Sequence, residues 1–264
     1  MFPRNLFVIG WLVTAMAVVL LIYGYISLVP ILFICGIALA AVMAGWIAYK
    51  IDTKALVIFV ILSLVIGYFD EYAHTSSGIL TYYDLQTPSF LTVIGWPLFI
   101  LMIIAFAELV MTRVKPPDNL DNKYTRLVIG LVPITLIPIL AIIQGYAGLF
   151  DWVLIAVYIV LGVLSLYFVM SESYGRNLML LIGAVLIGGF MEYLGALEGL
   201  WWYSPDAPLA FFMAFTWVIR TWAILGILTL FKVRTSESRW TLWLPRDPIA
   251  KALQRGDAKE STSE

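Results

Sequence analysis

Eight apolar runs of about 20 residues each dominate the chain, and few folds can accommodate that many. A hydrocarbon core of roughly 30 Å is crossed by about 20 helical residues. Inside it, backbone amides must be satisfied within their own segment, so helices are the natural spanning element. The runs predict spans at about 7–28, 30–49, 54–73, 90–112, 127–148, 152–170, 177–197 and 208–231. Composition agrees, with 62% hydrophobic residues, 12% charged residues and a mean hydropathy of +0.96, where a soluble domain is about 25% charged. The expected fold class is an all-α polytopic membrane protein. Arg4 precedes the first run, which contains Ala15-Met16-Ala17, but the apolar stretch continues well past any cleavage point and is expected to remain as a helix.

Lysine and arginine set the expected orientation in the cell membrane, because cytoplasmic loops are enriched in them. With the N-terminus inside, the inner segments carry Arg4, Lys50, Lys54, Arg113, Lys115, Lys123, Arg126, Arg176, Lys232 and Arg234. The outer loops near 25–29, 72–89, 146–151 and 198–207 carry none. Both termini are therefore expected in the cytoplasm.

Two stretches share a pattern. "IGYFDEYAHTSSGILTYYD" at 66–84 and "IGGFMEYLGALEGLWWYSP" at 187–205 both contain I-G-x-F-x-E-Y. Glu71 and Glu192 are 121 residues apart, and at that interval Phe69, Tyr72, Gly78, Tyr82, Trp96 and Arg113 match Phe190, Tyr193, Gly199, Tyr203, Trp217 and Arg234 without gaps. The expected organisation is two four-helix repeats, 1–112 and 127–235, joined by a cytoplasmic linker at 113–126 and followed by a cytoplasmic tail at 236–264. The linker "RVKPPDNLDNKYTR" breaks the apolar pattern with two prolines and clustered charge. An even number of spans per repeat makes the copies parallel, related by an axis along the membrane normal.

The charges inside the runs are the candidates for chemistry. Gly188, Glu192, Gly195 and Gly199 share a small-residue helical face, which turns Glu192 toward protein and not lipid. Its depth is about 6 Å inside the outer boundary, roughly 24 Å along a helix starting near Arg176, and Glu71 is expected at the same depth. Arg220 is the deepest charge, roughly 16 Å from the outer end of the last run. At mid-membrane it costs about 2.5–3.5 kcal/mol and so requires a partner or a face toward water. Arg220, Glu71 and Glu192 are expected to meet on the pseudo-twofold axis, as a structural ion pair or as a functional site. One guanidinium cannot neutralise two carboxylates in a low-dielectric site, which leaves one acid holding a proton it can deliver.

Asp70 adjoins Glu71, points roughly 100° away and belongs to the same candidate set. His74 follows Glu71 by three residues and shares its helical face. Glu108 is expected to snorkel or to pair with Arg113. Aromatic residues gather at the same end, and Tyr72, His74, Tyr82, Tyr193, Trp202, Tyr203, Trp217 and Trp222 are candidates to line a substrate, with the interfacial aromatic belt as the competing reading. One histidine, one cysteine (Cys35) and no clustered ligands argue against a histidine-rich iron site, a cysteine-based metal site or a disulfide. No metal or other cofactor is expected. An Asp-rich diphosphate motif is absent, and no lysine lies inside the last run for a retinal Schiff base.

The segment Glu192-x2-Gly195-x3-Gly199-Leu200-Trp201-Trp202-Tyr203 resembles the E-x-x-G-x-x-x-G-x-x-x-Y signature of carotenoid-biosynthesis membrane proteins, the bacterioruberin-type hydratases and, more distantly, integral-membrane lycopene cyclases. Residue 74 is His where the signature has Gly, and residue 198 is Glu where the family has a small polar residue. The resemblance implies an all-helical protein of six to eight spans that protonates a double bond at the end of a long polyene without a redox cofactor. Glu71 or Glu192 would be the acid, Arg220 the organiser of charge, and the tryptophans and tyrosines the lining. The implied partners are membrane lipid and a hydrophobic isoprenoid substrate. The net charge of −1 implies no nucleic acid, and homo-oligomerisation is left open. A small-solute or ion carrier is an equally natural use of paired acids and one arginine in a parallel repeat, and a non-catalytic membrane scaffold is the third reading.

Overall fold

A computed structural model describes residues 53–111, 114, 120–204 and 210–231, together with Ala41 and Gly45. The expected span at 7–28, all of that at 30–49 but Ala41 and Gly45, Cys35, linker residues 113 and 115–119, and the tail lie outside the described residues. The described chain is mostly helical, and six of its helices are long and apolar enough to cross a membrane. They are α1 (Thr53–Ser76), α2 (Phe90–Met111), α3 (Lys123–Ile143), α4 (Trp152–Ser171), α5 (Tyr174–Leu197) and α6 (Phe212–Leu230). Each coincides with one of the last six predicted spans.

Local chemistry explains where several of these helices begin and end. Asn122 accepts from the backbone N–H groups of Tyr124 and Thr125, Asp151 from that of Leu154, and Ser173 from that of Arg176. Each satisfies donors that the first turn leaves open. Pro133 and Pro138 lie inside α3, and Pro97 inside α2, as neighbouring elements permit in spanning helices. At their far ends α1 and α5 stop in the same way. Ile79 N–H bonds to His74 O, Leu200 N–H bonds to Gly195 O, and the intervening Gly78 and Gly199 have φ of +78° and +69°. This is the left-handed helix ending that a Cβ disfavours.

The chain then pairs with itself across the bundle. Strand β1 (Leu80–Tyr82) runs antiparallel to β2 (Trp201–Tyr203), with Thr81 opposite Trp202. Tyr83 N–H to Leu200 O and Ser204 N–H to Ile79 O, both 3.0 Å, extend the ladder. The 121-residue interval maps Tyr83 onto Ser204 and Ile79 onto Leu200 and so exchanges the two bonds, which gives the ribbon local two-fold character.

Helix α6 is the centre and the most buried of the six, whereas α3 is peripheral. It packs on α1, α3, α4 and α5, and α2 packs on α1 and α5. Ser165 of α4 donates its hydroxyl to Leu161 O and to Ile219 O of α6, which ties the two backbones together next to Arg220.

Candidate functional site

Glu71 of α1 and Glu192 of α5 occupy matching environments. Tyr82 donates its hydroxyl to Glu71 Oε2, and Trp96 of α2 donates its indole N–H to Oε1 at 2.9 Å. Tyr203 donates to Glu192 Oε2, and Trp217 of α6 donates to Oε1 at 2.8 Å. All four donor–acceptor relationships repeat at the interval of 121. Each tryptophan fits because a glycine faces it: a Cβ at Gly67 would come within 2.7 Å of the Trp96 ring, and one at Gly188 within 2.4 Å of the Trp217 ring. Gly188 closes a π-helical turn, Ala184–Gly188, in α5.

Between the two units sits Arg220, fully buried. Its guanidinium carbon is 4.8 Å from the Trp96 ring centre and 5.0 Å from that of Trp217, and the two indoles are themselves 5.2 Å apart. Desolvated cation–π contacts of this kind contribute about 2 kcal/mol. Nη2 binds Asp70 Oδ2, and Nη1 is 3.9 Å from Glu192 Oε1. The expectation that Arg220 joins Glu71 directly is corrected. One residue along a helix is a rotation of about 100°, so Asp70 faces α6 and its arginine while Glu71 faces α2 and its tryptophan.

Asp70 also anchors His74. The imidazole Nδ1 is 2.7 Å from Asp70 O and 3.2 Å from Asp70 Oδ2, and Nε2 is 2.7 Å from the hydroxyl of Tyr158 on α4. The cluster thus runs continuously from Glu192 through Arg220, Asp70 and His74 to Tyr158. It is one-sided: at the interval of 121, Asp70 is matched by Met191, Arg220 by Phe99 and His74 by Gly195. A Cβ at Gly195 would strike the Trp201 ring at 1.9 Å, so indole fills in one unit the space that imidazole fills in the other.

The predicted residues divide by placement. Asp70, Glu71, His74, Tyr82, Glu192, Tyr203, Trp217 and Arg220 come together. Tyr72, Tyr193 and Trp202 do not: they are 42%, 49% and 48% exposed. Both tyrosines follow a buried glutamate by one residue and turn outward, and Trp202 is the middle residue of β2, where side chains alternate and its neighbours point inward. Trp222 is fully buried but belongs to the apolar core, because two residues from Arg220 is a rotation of about 200°. Trp217 binds Glu192 and stacks on Arg220, so it holds the charge cluster where a lining role was expected. Glu108 lies 3.8 Å from Arg176, away from this cluster, and Arg113 lies outside the described residues. Two members were missed as site residues. Trp96 was readable as the partner of Trp217 at 121 residues, whereas Tyr158 lies in an apolar run opposite Ile37 and carries no such signal. Among the described residues no group of three or more histidine, cysteine or acidic side chains could hold a metal ion.

No known protein family, curated protein or solved structure matches the chain.

Proposed function

We propose that this chain modifies a carotenoid or other isoprenoid in the membrane by acid-catalysed hydration or cyclisation, on eight spans arranged as two parallel four-helix repeats. One observation carries the reading. Asp70, Glu71 and Glu192 share the centre of the bundle with one guanidinium and one imidazole. Three negative charges against at most two positive ones leave a net charge where charge is costly, and a bound proton removes it.

The hydrogen bonds limit where the glutamates could hold that proton. Indole N–H only donates, so Oε1 of each glutamate is an acceptor, whereas Oε2 faces a tyrosine hydroxyl that can reverse its direction. Delivered to the less substituted carbon of a terminal trisubstituted alkene, the proton leaves a tertiary carbocation on its neighbour. In hydration, water adds to that cation and the resulting oxonium returns a proton to the cluster. In cyclisation, the electron pair of a second double bond forms the new C–C bond, and loss of a proton from the adjacent carbon restores the alkene and the cluster. Neither route consumes electrons. General acid catalysis by a positioned group contributes about 10²–10⁴-fold.

The two-repeat arrangement is supported by the Glu–Tyr–Trp units, the paired glycine endings and the β1–β2 ladder, all at 121 residues. The spans 7–28 and 30–49 are the sequence counterparts of α3 and α4. The test is pigment and lipid extraction from a host that makes acyclic polyenes, with and without the gene. A hydroxylated or cyclised isoprenoid is expected only with it, and identical profiles overturn the reading.

A further inference from the structure

The cluster reaches the lining of a cavity through Tyr158. Between α3 and α4, closed at its base by Ile219 of α6, lies a cavity of about 330 Å³. Ile134 and Pro138 form one wall and Gly162 the other; every lining side chain is aliphatic or aromatic, and Tyr158 is the one lining residue whose side chain carries a polar group. Ile159, at its rim, is 61% exposed, so the cavity opens on the apolar flank of the bundle. A lining without charge suits a neutral apolar molecule and opposes an ion or polar solute.

The same hydroxyl is the partner of His74. Both atoms near Nδ1, the carbonyl and the carboxylate oxygen of Asp70, are acceptors, so Nδ1 carries the hydrogen. Only Nε2 is then free to change. In the neutral ring Nε2 accepts from Tyr158, and in the imidazolium it donates to Tyr158, which frees the tyrosine proton to point elsewhere. One proton therefore reverses the hydrogen bond at the wall of the cavity. The charged groups around the imidazole are Asp70 and Glu71 of α1 and Arg220 of α6, with Glu192 of α5 beyond the guanidinium.

We propose that Tyr158 is the group that hands the proton to an isoprenoid chain lying in this cavity, and that His74 recharges it. The proposal rests on the acid-catalysed reading above and names its point of contact with substrate. As the Tyr158 O–H proton passes to the alkene carbon, the Nε2 proton passes to the Tyr158 oxygen, leaving neutral imidazole. The proton lost in the closing step returns by the reverse path, through Tyr158 to Nε2, so protons balance over the cycle. The charged side is the working side, and Glu192, whose helix carries Met191 and Gly195 at the positions matching Asp70 and His74, positions Arg220.

The chain's only histidine makes the test direct, because the full chain, labelled with ¹⁵N-histidine and free of any histidine tag, gives the signals of one imidazole. Squalene added to the micelles is expected to shift the Nε2 signal. Tyr158→Phe is expected to abolish that response and to move the pH midpoint of Nε2. Gly162→Phe, which fills the cavity, is expected to abolish the response to squalene while leaving the pH midpoint in place, and Gly162→Ala to retain both. In the host assay both Tyr158→Phe and Gly162→Phe are expected to lower product at least about 10²-fold. An Nε2 signal indifferent to squalene in the unaltered chain overturns the proposal, as does full product from Tyr158→Phe in a host whose profile the unaltered chain changes. A squalene response that depends on Tyr158, found in a host with an unchanged profile, supports the relay and counts against hydration or cyclisation alone.

Discussion

Asp70 and Arg220, 150 residues apart in the chain, form a fully buried ion pair between α1 and α6. The residues at the matching positions, Met191 and Phe99, are apolar and buried. The same local architecture has therefore been built once with a charge pair and once without, which separates what the fold needs from what the charge pair adds. The Glu–Tyr–Trp hydrogen bonds are present in both units, so they do not depend on an aspartate beside the glutamate.

Substitution can copy one side onto the other. Asp70→Met leaves Arg220 with only Glu192 at 3.9 Å, and Arg220→Phe leaves Asp70 with only His74. Removing one partner of a buried pair costs about 3–5 kcal/mol. The double variant Asp70→Met, Arg220→Phe removes both charges and is expected to lose less stability than the sum of the two single losses, with a coupling energy of about 1–3 kcal/mol. Thermal midpoints in detergent measure this. Additive losses would show that the charges do not act as a pair.

At the opposite end of the bundle, Asp121 accepts from Arg126 Nε at 2.7 Å and from Tyr174 N–H at 2.9 Å, which joins the start of α3 to the start of α5. Partial burial pushes its carboxyl upward, but the bonds from Arg126 and Tyr174 outweigh this and hold it below the usual aspartate value. A lowered folded-state value means the contribution is present above pH 4 and is lost as pH falls through the folded value. Because the pair is exposed, Asp121→Asn is expected to cost below about 1 kcal/mol. The difference in melting temperature between the two proteins should shrink between pH 5 and pH 3; a gap that widens on acidification would contradict this.

The helices and the two glutamate units were legible for different physical reasons. Lipid imposes a length and polarity on each span, so the last six boundaries could be read within a few residues. Glu71, Tyr82 and Trp96 could be read because their counterparts recur at a fixed interval, which apolar similarity alone does not produce. What escaped was whatever depends on which helix packs on which face. The choice of Asp70 over Glu71 as partner for Arg220 follows from a 100° rotation that has meaning only once α6 is placed. His74 and Tyr158, 84 residues apart, meet because α1 and α4 touch, and no periodicity encodes that contact.

Orientation is open to a labelling experiment. The loops carrying Gln86 and Glu198 contain no lysine or arginine, whereas Lys123 and Arg126 lie at the opposite ends of their helices. In a Cys35→Ser background, Gln86→Cys is expected to react with an impermeant maleimide from outside intact cells, and Asn122→Cys only after permeabilisation. Labelling of residue 86 from the cytoplasmic side alone would invert the assignment.

The paired glutamates allow the sharpest separation of structure from chemistry. Glu71→Gln keeps an oxygen to accept from Trp96 and presents an amide to Tyr82, whose oxygen can accept it, so both polar groups stay satisfied. Glu192→Gln does the same with Trp217 and Tyr203. Each single variant is expected to give a monodisperse protein in normal yield, and each removes one titratable proton from the cluster. If Glu192 positions Arg220 and the working proton belongs to the Asp70–His74 side, Glu192→Gln is expected to lower product formation by less than about tenfold, and Glu71→Gln, beside Asp70, by more. The double variant leaves Asp70 as the one acid of this cluster, opposite two cationic groups, and is expected to be folded and inactive. Extracted yield, monodispersity and the isoprenoid profile of the host are measured together for each variant. Full product from the double variant would falsify acid catalysis by this cluster, and loss of folded protein in both single variants would mark the glutamates as purely structural.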